Sequence, residues 1–318
     1  MSLEIITLSD PSGKATAKVL PGFGFNCYSF QVDLDGYSQE LLWSGPEFET
    51  GNASASHSGI PILFPFPGRL GGTSMEFSGK KYSLSMAPTD PLGNAIHGYA
   101  LDRAWEVVDQ SAHHVVGQFK ASSQEPQLRD QWPTDYLLQV TYTLKDNTLH
   151  GEYQISNPSE STLPFGLGLH PYFRVPLGPK GEADACTVMV PTAAMFELLD
   201  MLPSGEIIPV SGKTALNASL PFGEIELDDV FTQLVFDEKG ECEAKIVDDA
   251  SGRTLSLTFS KEFPECVVYT PPHREAICLE PYSCPPDAYK LEEKGLTTGL
   301  QRLAPGQEFV GTMALTLK

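Results

Sequence analysis

Hydrophobic and polar residues alternate with a period of two over much of this chain. Successive side chains of a β-strand point to opposite faces, so such alternation predicts strands with one buried and one solvated face. Two pairs of alternating segments flank short turns and therefore predict β-hairpins. The alternating segments are 138–144 with 151–155, 244–247 with 255–259, and the last residues, 309–318.

Other segments carry a weaker strand signal, and helical signals are scarce. The further strand candidates are 14–20, 25–34, 75–85, 104–109, 186–190 and 265–270. A short helix is predicted over 287–294, ended by Gly295, and a poorer one over 122–132. With 28 Gly and 26 Pro to form turns, the chain is predicted to be all-β, an antiparallel β-sandwich forming a single domain over 1–318.

Charge narrows the range of partners. The chain has 41 acidic and 21 basic residues and a formal net charge of −20. So acidic a surface repels nucleic-acid backbones and anionic lipid, which argues against nucleic acid and membrane as partners. A small neutral ligand is the expected partner.

Cysteine usage and the first residues indicate an ordinary intracellular protein. The six cysteines lack C-x-x-C spacing, and several lie inside apolar runs where a thiol acts as a small core hydrophobe. Disulfides are not needed to stabilise a chain of 318 residues. The opening MSLEIITLSD has no basic or long apolar stretch, and no segment has the length of a membrane span. We expect a cytoplasmic location.

Two loops present candidate polar side chains. The run 59–70 contains three prolines in an apolar stretch, which is incompatible with a central strand and predicts a rigid buried loop presenting Arg69. Arg69 either serves a site or simply ties the loop down by bonding carbonyls. In 94–99, Gly98 permits close backbone approach beside His97, although a lone loop histidine is usually a packing residue.

Two apolar segments end in titratable residues. His170 closes a run in which Gly166 and Gly168 leave room for a ligand or another backbone; a satisfied core histidine is the equal alternative. Glu280 closes the apolar run 276–279, where a buried charge costs several kcal/mol unless it is paired or used. Two histidines, a carboxylate and an arginine on rigid segments fit general acid–base catalysis without naming a reaction.

Taken in order, these segments resemble the aldose 1-epimerase (galactose mutarotase) family. The blocks that carry the resemblance extend from about 59 to the end of the chain. They are Pro-Gly-Arg69-Leu-Gly-Gly, Gly79-Lys-Lys-Tyr82, Asn94-x-x-His97-Gly98 with Trp105, Gly168-Leu-His170-Pro-Tyr-Phe173, Leu227-Asp228-Asp229-Val-Phe231, Val268-Tyr-Thr-Pro, Cys278-Leu-Glu280-Pro and Leu303-Ala-Pro305-Gly306-Gln. The resemblance implies a large twisted antiparallel β-sandwich.

The resemblance also implies a role for each site residue. Glu280 would be the general base that takes the proton of the sugar C1 hydroxyl, and His170 the general acid that protonates the ring oxygen, on opposite sides of one C–O bond. His97 and Arg69 would bind sugar hydroxyls and the ring region. Asp228 would accept hydroxyl hydrogen bonds. Ring opening, rotation and closure then exchange the α and β anomers with no cofactor and no metal.

Two departures from the family pattern touch the sugar pocket. Gly68 precedes Arg69 where well-known galactose mutarotases have Asn, and Pro follows His170 where they have Thr. The sugar is therefore left open, a sugar phosphate included, and Asp229 is the fallback for Asp228. Candidate phosphate-binding residues are Lys80, Lys81, Arg103, Arg174, His273 and Arg274.

Other classes of function compete with this prediction. A non-catalytic carbohydrate-binding sandwich would use the aromatics Trp43, Trp105, Tyr172 and Phe173. A metal enzyme would use His97, His170 and Glu280, and a glycosidase would pair Asp228 with Glu280. The favoured prediction is a mutarotase, monomeric or homodimeric, acting on a small sugar.

Overall fold

The computed structural model describes residues 3–34 and 36–318. The strands, numbered in chain order, are β1 Ile6–Ser9, β2 Ala15–Leu20, β3 Asn26–Leu34, β4 Tyr37–Glu40, β5 Ile62–Leu63, β6 Arg69–Leu70, β7 Ser74–Phe77, β8 Lys80–Ser83, β9 Ala95–Ile96, β10 Glu106–Gln110, β11 His114–Lys120, β12 Leu137–Lys145, β13 Thr148–Ser156, β14 Leu163–Phe165, β15 Gly168–Leu169, β16 Tyr172–Arg174, β17 Thr187–Met189, β18 Thr192–Leu199, β19 Leu202–Pro209, β20 Leu220–Pro221, β21 Asp228–Leu234, β22 Glu241–Asp248, β23 Arg253–Ser260, β24 Glu265–Tyr269, β25 Ala276–Tyr282, β26 Gln301–Leu303 and β27 Glu308–Leu317.

Helices are few and short. Over the described residues, the α-helices are α1 Ala121–Gln124 and α2 Ala288–Glu293. The 3₁₀ helices are Phe48–Thr50, Pro126–Asp130, Ala183–Ala185, Gly212–Thr214, Leu216–Ala218 and Phe222–Glu224. The predicted helix over 287–294 corresponds to α2, and the poorer candidate over 122–132 is divided between α1 and a 3₁₀ helix that begins at Pro126.

In the part of the chain that the structure describes, two large antiparallel sheets form most of the fold, accompanied by a four-stranded sheet of β1–β4. A nine-stranded sheet has the order β10-β11-β12-β13-β27-β23-β22-β17-β20, and an eight-stranded sheet has the order β19-β18-β21-β24-β25-β15-β5, with β16 paired to β25. One hydrophobic core receives side chains from both, Val140 and Leu257 from the first and Phe231 and Leu279 from the second. The predicted antiparallel β-sandwich is confirmed.

The hairpins read from alternation are confirmed. In β12 the buried residues are those of the predicted apolar face, and β12 pairs with β13. β22 likewise pairs with β23. The single strand predicted over 75–85 is wrong, because β7 and β8 are an antiparallel hairpin. Ser78 and Gly79 at its turn have positive φ angles of 52° and 75°, as a two-residue hairpin turn requires.

The short helices and the free cysteines complete the fold. No helix among the residues described here is both long and apolar enough to cross a membrane. All six cysteines are buried free thiols.

Candidate active site

Glu280 lies on a strand that is buried on both faces. β25 runs in the interior of the eight-stranded sheet, between β24 and β15. Ile277 and Leu279 face the main core, whereas Cys278, Glu280 and Tyr282 face the other side. Glu280 is only 1% exposed, and its Oε2 accepts a 2.8 Å hydrogen bond from the Tyr282 hydroxyl. A carboxyl group with so little water must act through its immediate neighbours.

His170 is one of those neighbours. It directly follows β15, which pairs with β25, so the sheet places it beside Glu280. Its Nδ1 lies 3.3 Å from Glu280 Oε1 without hydrogen-bond geometry, and the residue is 5% exposed. The structure therefore brings together two residues 110 positions apart in the chain.

The His170 ring is held by backbone and aromatic contacts. Its own backbone N–H donates to the Pro61 carbonyl at 3.0 Å. Its imidazole stacks on the Tyr172 ring with centroids 4.8 Å apart and planes 7° from parallel. The backbone bond fixes the position of the residue, and the stacking contact with Tyr172 supports the plane of the imidazole beside Glu280.

The space beside Gly166 and Gly168 is filled by side chains. A Cβ at Gly166 would lie 2.5 Å from Cys284 Sγ and 2.6 Å from Pro67 Cδ. At Gly168 it would lie 2.6 Å from Pro67 Cβ and 2.8 Å from Tyr282 Cε1. The prediction that these glycines make room for a ligand or another backbone is thus wrong; they make room for the side chains that support the site.

Arg69 binds carboxylates. Its Nε lies 3.2 Å from Asp90 Oδ2 and its Nη2 lies 3.3 Å from Asp228 Oδ2. The alternative in which Arg69 only ties down carbonyls does not describe these contacts. Asp228, the first residue of β21, lines the cavity described below, whereas its neighbour Asp229 does not.

His97 occupies a strained turn next to a close backbone crossing. It has a φ of 65°, and its N–H donates to the Gly68 carbonyl at 2.8 Å. A Cβ on Gly98 would lie 2.2 Å from the Phe64 carbonyl oxygen, which is the close approach predicted from the sequence. The His97 ring lies edge-on to the His170 ring with centroids 5.6 Å apart.

Burial shifts the titration of the central groups toward their uncharged forms. It raises the pKa of Glu280 well above its usual value, partly opposed by the Tyr282 hydrogen bond. It lowers the pKa of His170 well below its usual value and that of His97 to about 3, with the neighbouring Arg69 charge acting in the same direction. Both shifts favour the state of the Glu280–His170 pair in which neither group is charged.

These residues surround one cavity of about 540 Å³. Arg69, His97, His170, Asp228 and Glu280 all contribute to its wall. Its volume falls within the range of roughly 300–1,000 Å³ that is typical of small-molecule sites.

Basic residues are scarce around the cavity. Among residues 3–34 and 36–318, Arg69 is the one Lys or Arg in its wall. None of the six candidate phosphate-binding residues contributes to that wall: Lys80, Lys81, Arg103, Arg174, His273 and Arg274.

The aromatic residues considered for sugar stacking are mostly elsewhere. Tyr172 lines the cavity. Trp105 and Phe173 belong to the main core, and Trp43 stacks on His273 at 4.2 Å. The structure therefore provides no broad aromatic platform among these four.

Comparison with known proteins identifies the family. The family model for aldose 1-epimerase matches residues 4–316. The chain belongs to the aldose 1-epimerase family.

Three proteins similar to this chain are between 19% and 24% identical to it where they align. The plasmid protein LacX of Lactococcus lactis is 24% identical over 266 residues, 79% of each chain. A galactose mutarotase-like protein from Clostridium acetobutylicum superposes with a TM-score of 0.83 at 19% identity, covering 100% of this chain and 99% of the other. The GalM/aldose epimerase homologue from C. elegans superposes with a TM-score of 0.81 at 19% identity and the same coverage. These structures show that the chain has the mutarotase-like fold.

Several wall residues of this aldose 1-epimerase family member escaped the sequence analysis as site residues. Tyr269 on β24 stands in a motif block quoted above and pairs in register with Cys278. Tyr282, which lies just beyond another block, bonds Glu280. Asp90 and His57 lie in loops without a periodic or motif signal. Their positions depend on loops that meet only in the folded chain.

The side chains of the site include one group with metal-binding chemistry. His170, Cys278 and Glu280 each offer a ligand atom, and these atoms lie within 4.8 Å of one another. The metal-enzyme hypothesis combines His97, His170 and Glu280; in the structure Cys278, not His97, completes the group with His170 and Glu280.

Proposed function

We propose that this protein interconverts the α and β anomers of an unphosphorylated aldose, with Glu280 as general base and His170 as general acid. The observation that carries the proposal is the 3.3 Å approach of His170 Nδ1 to Glu280 Oε1 in the wall of a sugar-sized cavity. The C1 hydroxyl and the ring oxygen are bonded to the same carbon. An acid and a base that serve these two oxygens must therefore be neighbours, as these two residues are.

Ring opening transfers one proton to the enzyme and one to the sugar. Ionised Glu280 takes the C1 hydroxyl proton, the bond between C1 and the ring oxygen breaks, and protonated His170 gives its proton to that oxygen. The free aldehyde rotates about the C1–C2 bond. Ring closure on the other face reverses both transfers and restores the starting protonation states.

The burial of the pair suits this cycle. Before ring opening the pair is carboxylate and imidazolium; afterwards it is carboxylic acid and neutral imidazole. Both states hold one proton and have no net charge, so the protein never has to accommodate an uncompensated buried charge. The opposite pKa shifts of Glu280 and His170 favour the uncharged state, so they assist the proton transfer that opens the ring and oppose the reverse transfer at ring closure to the same extent.

The remaining polar residues of the wall are suited to sugar hydroxyls. The Arg69 guanidinium is held between Asp90 and Asp228, which leaves a fixed array of donors and acceptors facing the cavity. His97 adds an imidazole beside His170. Hydroxyl groups can donate to the carboxylates and accept from Arg69 or His97.

The same array supports a neutral substrate over a sugar phosphate. A phosphate group carries a charge of about −1.5 to −2. In this cavity it would meet Asp90, Asp228 and Glu280, while Arg69 already pairs with two of these carboxylates. A neutral aldose has no such repulsion.

The test is anomer exchange measured by NMR across a panel of aldoses and aldose phosphates. Wild type is compared with Glu280→Gln and His170→Asn, and circular dichroism verifies that each variant folds. We expect exchange of at least one neutral aldose, reduced by roughly 10²–10⁴-fold in each variant. Wild-type rates in both folded variants would refute the assignment. Saturable sugar binding without any exchange would instead favour the carbohydrate-binding alternative.

A further inference from the structure

Beneath the proposed acid–base pair lies a buried thiol that the mechanism does not use. Cys278 precedes Glu280 by two residues on β25, so both side chains point to the same face of the sheet. Cys278 is fully buried. Its Sγ, a ring nitrogen of His170 and a carboxylate oxygen of Glu280 lie within 4.8 Å of one another.

This combination of side chains is the ligand chemistry of zinc. Thiolate, imidazole and carboxylate are the three protein ligands that Zn²⁺ commonly takes, at roughly 2.0–2.3 Å, whereas Mg²⁺ and Ca²⁺ prefer oxygen alone. A tetrahedral ion with those bond lengths has ligand atoms roughly 3.3–3.8 Å apart. His170 Nδ1 and Glu280 Oε1, at 3.3 Å, already satisfy this spacing. The sulfur lies within 4.8 Å of a ring nitrogen and a carboxylate oxygen of the same two side chains, so a side-chain movement of about 1 Å would bring it into range.

A second observation points to a ligand at the same place. His170 Nδ1 is fully buried and has no hydrogen-bond partner within residues 3–34 and 36–318, although it faces Glu280. Buried ring nitrogens are normally satisfied, so this one is available to a further partner. A thiolate and a carboxylate together supply two negative charges, which match those of a divalent cation.

We propose that His170, Cys278 and Glu280 form a site for Zn²⁺ that inhibits the enzyme. The thiol proton leaves to solvent when the ion binds, and the three side chains leave a fourth coordination position toward the cavity. A Glu280 carboxylate bound to zinc cannot accept the C1 proton. The inhibition rests on the proposed function and is competitive with sugar; the ion site itself does not depend on it.

The site is tested first without reference to activity. The full-length protein is titrated with Co²⁺, a spectroscopic substitute for zinc, and the thiolate-to-cobalt charge-transfer absorption is recorded. We expect one Co²⁺ per chain with this absorption, displaced by Zn²⁺. Cys278→Ser should abolish the band, while Cys266→Ser, which removes a buried thiol from the core-facing side of β24, should preserve it.

Inhibition is tested next by anomer exchange at several Zn²⁺ and sugar concentrations. Serine is close to cysteine in size and adds no charge beside Glu280, so Cys278→Ser should retain the uninhibited rate. Losing even an outer-shell partner costs a metal site about 10–100-fold in affinity, so loss of the sulfur should raise the inhibitory Zn²⁺ concentration at least as much.

The outcomes separate the two proposals. Absence of the cobalt band, or its persistence in Cys278→Ser, overturns the zinc site. Inhibition that is not competitive with sugar, or that is equal in Cys278→Ser, overturns its inhibitory role. A cobalt band that depends on Cys278 in a protein without anomer exchange leaves the ion site standing and removes the proposed function alone.

Discussion

The Tyr282 hydroxyl donates a 2.8 Å hydrogen bond to Glu280 Oε2 from two residues along the same strand. This bond lowers the pKa of Glu280 against the larger effect of burial, which raises it. Tyr282 is thus a positioning residue for the proposed base, and its hydrogen bond also lowers the pH at which that base ionises.

Tyr282→Phe should therefore move the pH dependence of the reaction. Without the donor the pKa of Glu280 rises further, so the acid limb of kcat/KM shifts to higher pH. A hydrogen bond to a charged group contributes about 1.5–3 kcal/mol, which corresponds to roughly 10–100-fold in rate at neutral pH. The measurement is anomer exchange by NMR from acid to alkaline pH.

Tyr269→Phe is the matched control for that experiment. Tyr269 lines the same cavity from the neighbouring strand, and its removal leaves the Tyr282–Glu280 bond in place. We expect its acid limb to coincide with that of wild type. An unshifted limb in Tyr282→Phe would show that this bond does not control the base.

Removal of each of the two carboxylates that hold Arg69 should have a different effect, on stability in one case and on substrate affinity in the other. Asp90, with a side chain only 3% exposed, also accepts backbone hydrogen bonds from Leu92 and Asn94, so Asp90→Ala should lower the free energy of unfolding by about 2 kcal/mol. Asp228 is 35% exposed, and an ion pair so accessible to water contributes less than about 1 kcal/mol. Asp228→Ala should therefore leave stability nearly unchanged and raise KM.

Urea unfolding and sugar-dependent kinetics of both variants supply the measurements. Equal loss of stability in the two variants would contradict the distinct roles assigned to Asp90 and Asp228.

Glu265 should make folding stability depend on pH. It is 7% exposed, and burial raises its pKa from 4.5 to about 8. The unfolded chain ionises this group near pH 4.5 and the folded chain only near pH 8. Its contribution to stability is therefore complete below pH 4.5 and is lost as the pH rises through 8.

Glu265→Gln should remove that part of the slope. From pH 4.5 to 8 the wild type should lose a few kcal/mol of unfolding free energy relative to the variant. Glu241→Gln, which neutralises an exposed residue of β22, should follow the wild-type slope. Urea unfolding at several pH values measures all three proteins, and parallel curves for wild type and Glu265→Gln would disprove the expectation.

Gly98→Ala should be far more damaging than Gly93→Ala. Both glycines have positive φ, 70° and 82°, where a Cβ costs about 1–2 kcal/mol. Only at Gly98 does the added Cβ meet a neighbour, the Phe64 carbonyl oxygen at 2.2 Å, whereas Gly93 has open space. Thermal and urea unfolding should show an additional loss of about 2 kcal/mol or more in Gly98→Ala, with reduced activity because His97 is adjacent. Equal losses would argue against the close crossing.

Local alternation predicted the parts of the fold that are local. The hairpin β12–β13 follows from residues adjacent in sequence, and the turn within 75–85 could have been recognised from Ser78-Gly79. β18, with the sequence TAAMFELL, was not recognised because its buried positions do not alternate. Strands that are buried irregularly or on both faces do not show an alternation of hydrophobic and polar residues with a period of two.

The site was predictable where a residue type conflicts with its surroundings. Glu280 follows four apolar residues within β25, and a carboxylate in so apolar a segment conflicts with burial. The Asp90–Arg69 contact carries no such signal, since it joins two loops whose approach depends on the whole fold. The catalytic and binding roles, and the single-domain organisation, stay predictions.

β25 contributes Leu279 to the core on one side and Glu280 to the cavity on the other. The position of the proposed base therefore depends on how the core behind the strand is packed. A side chain lost behind the strand lets the strand move, and the proposed base moves with it. A change of ligand specificity would thus proceed more freely through the loop that carries His57 than through the strand at the centre of the site.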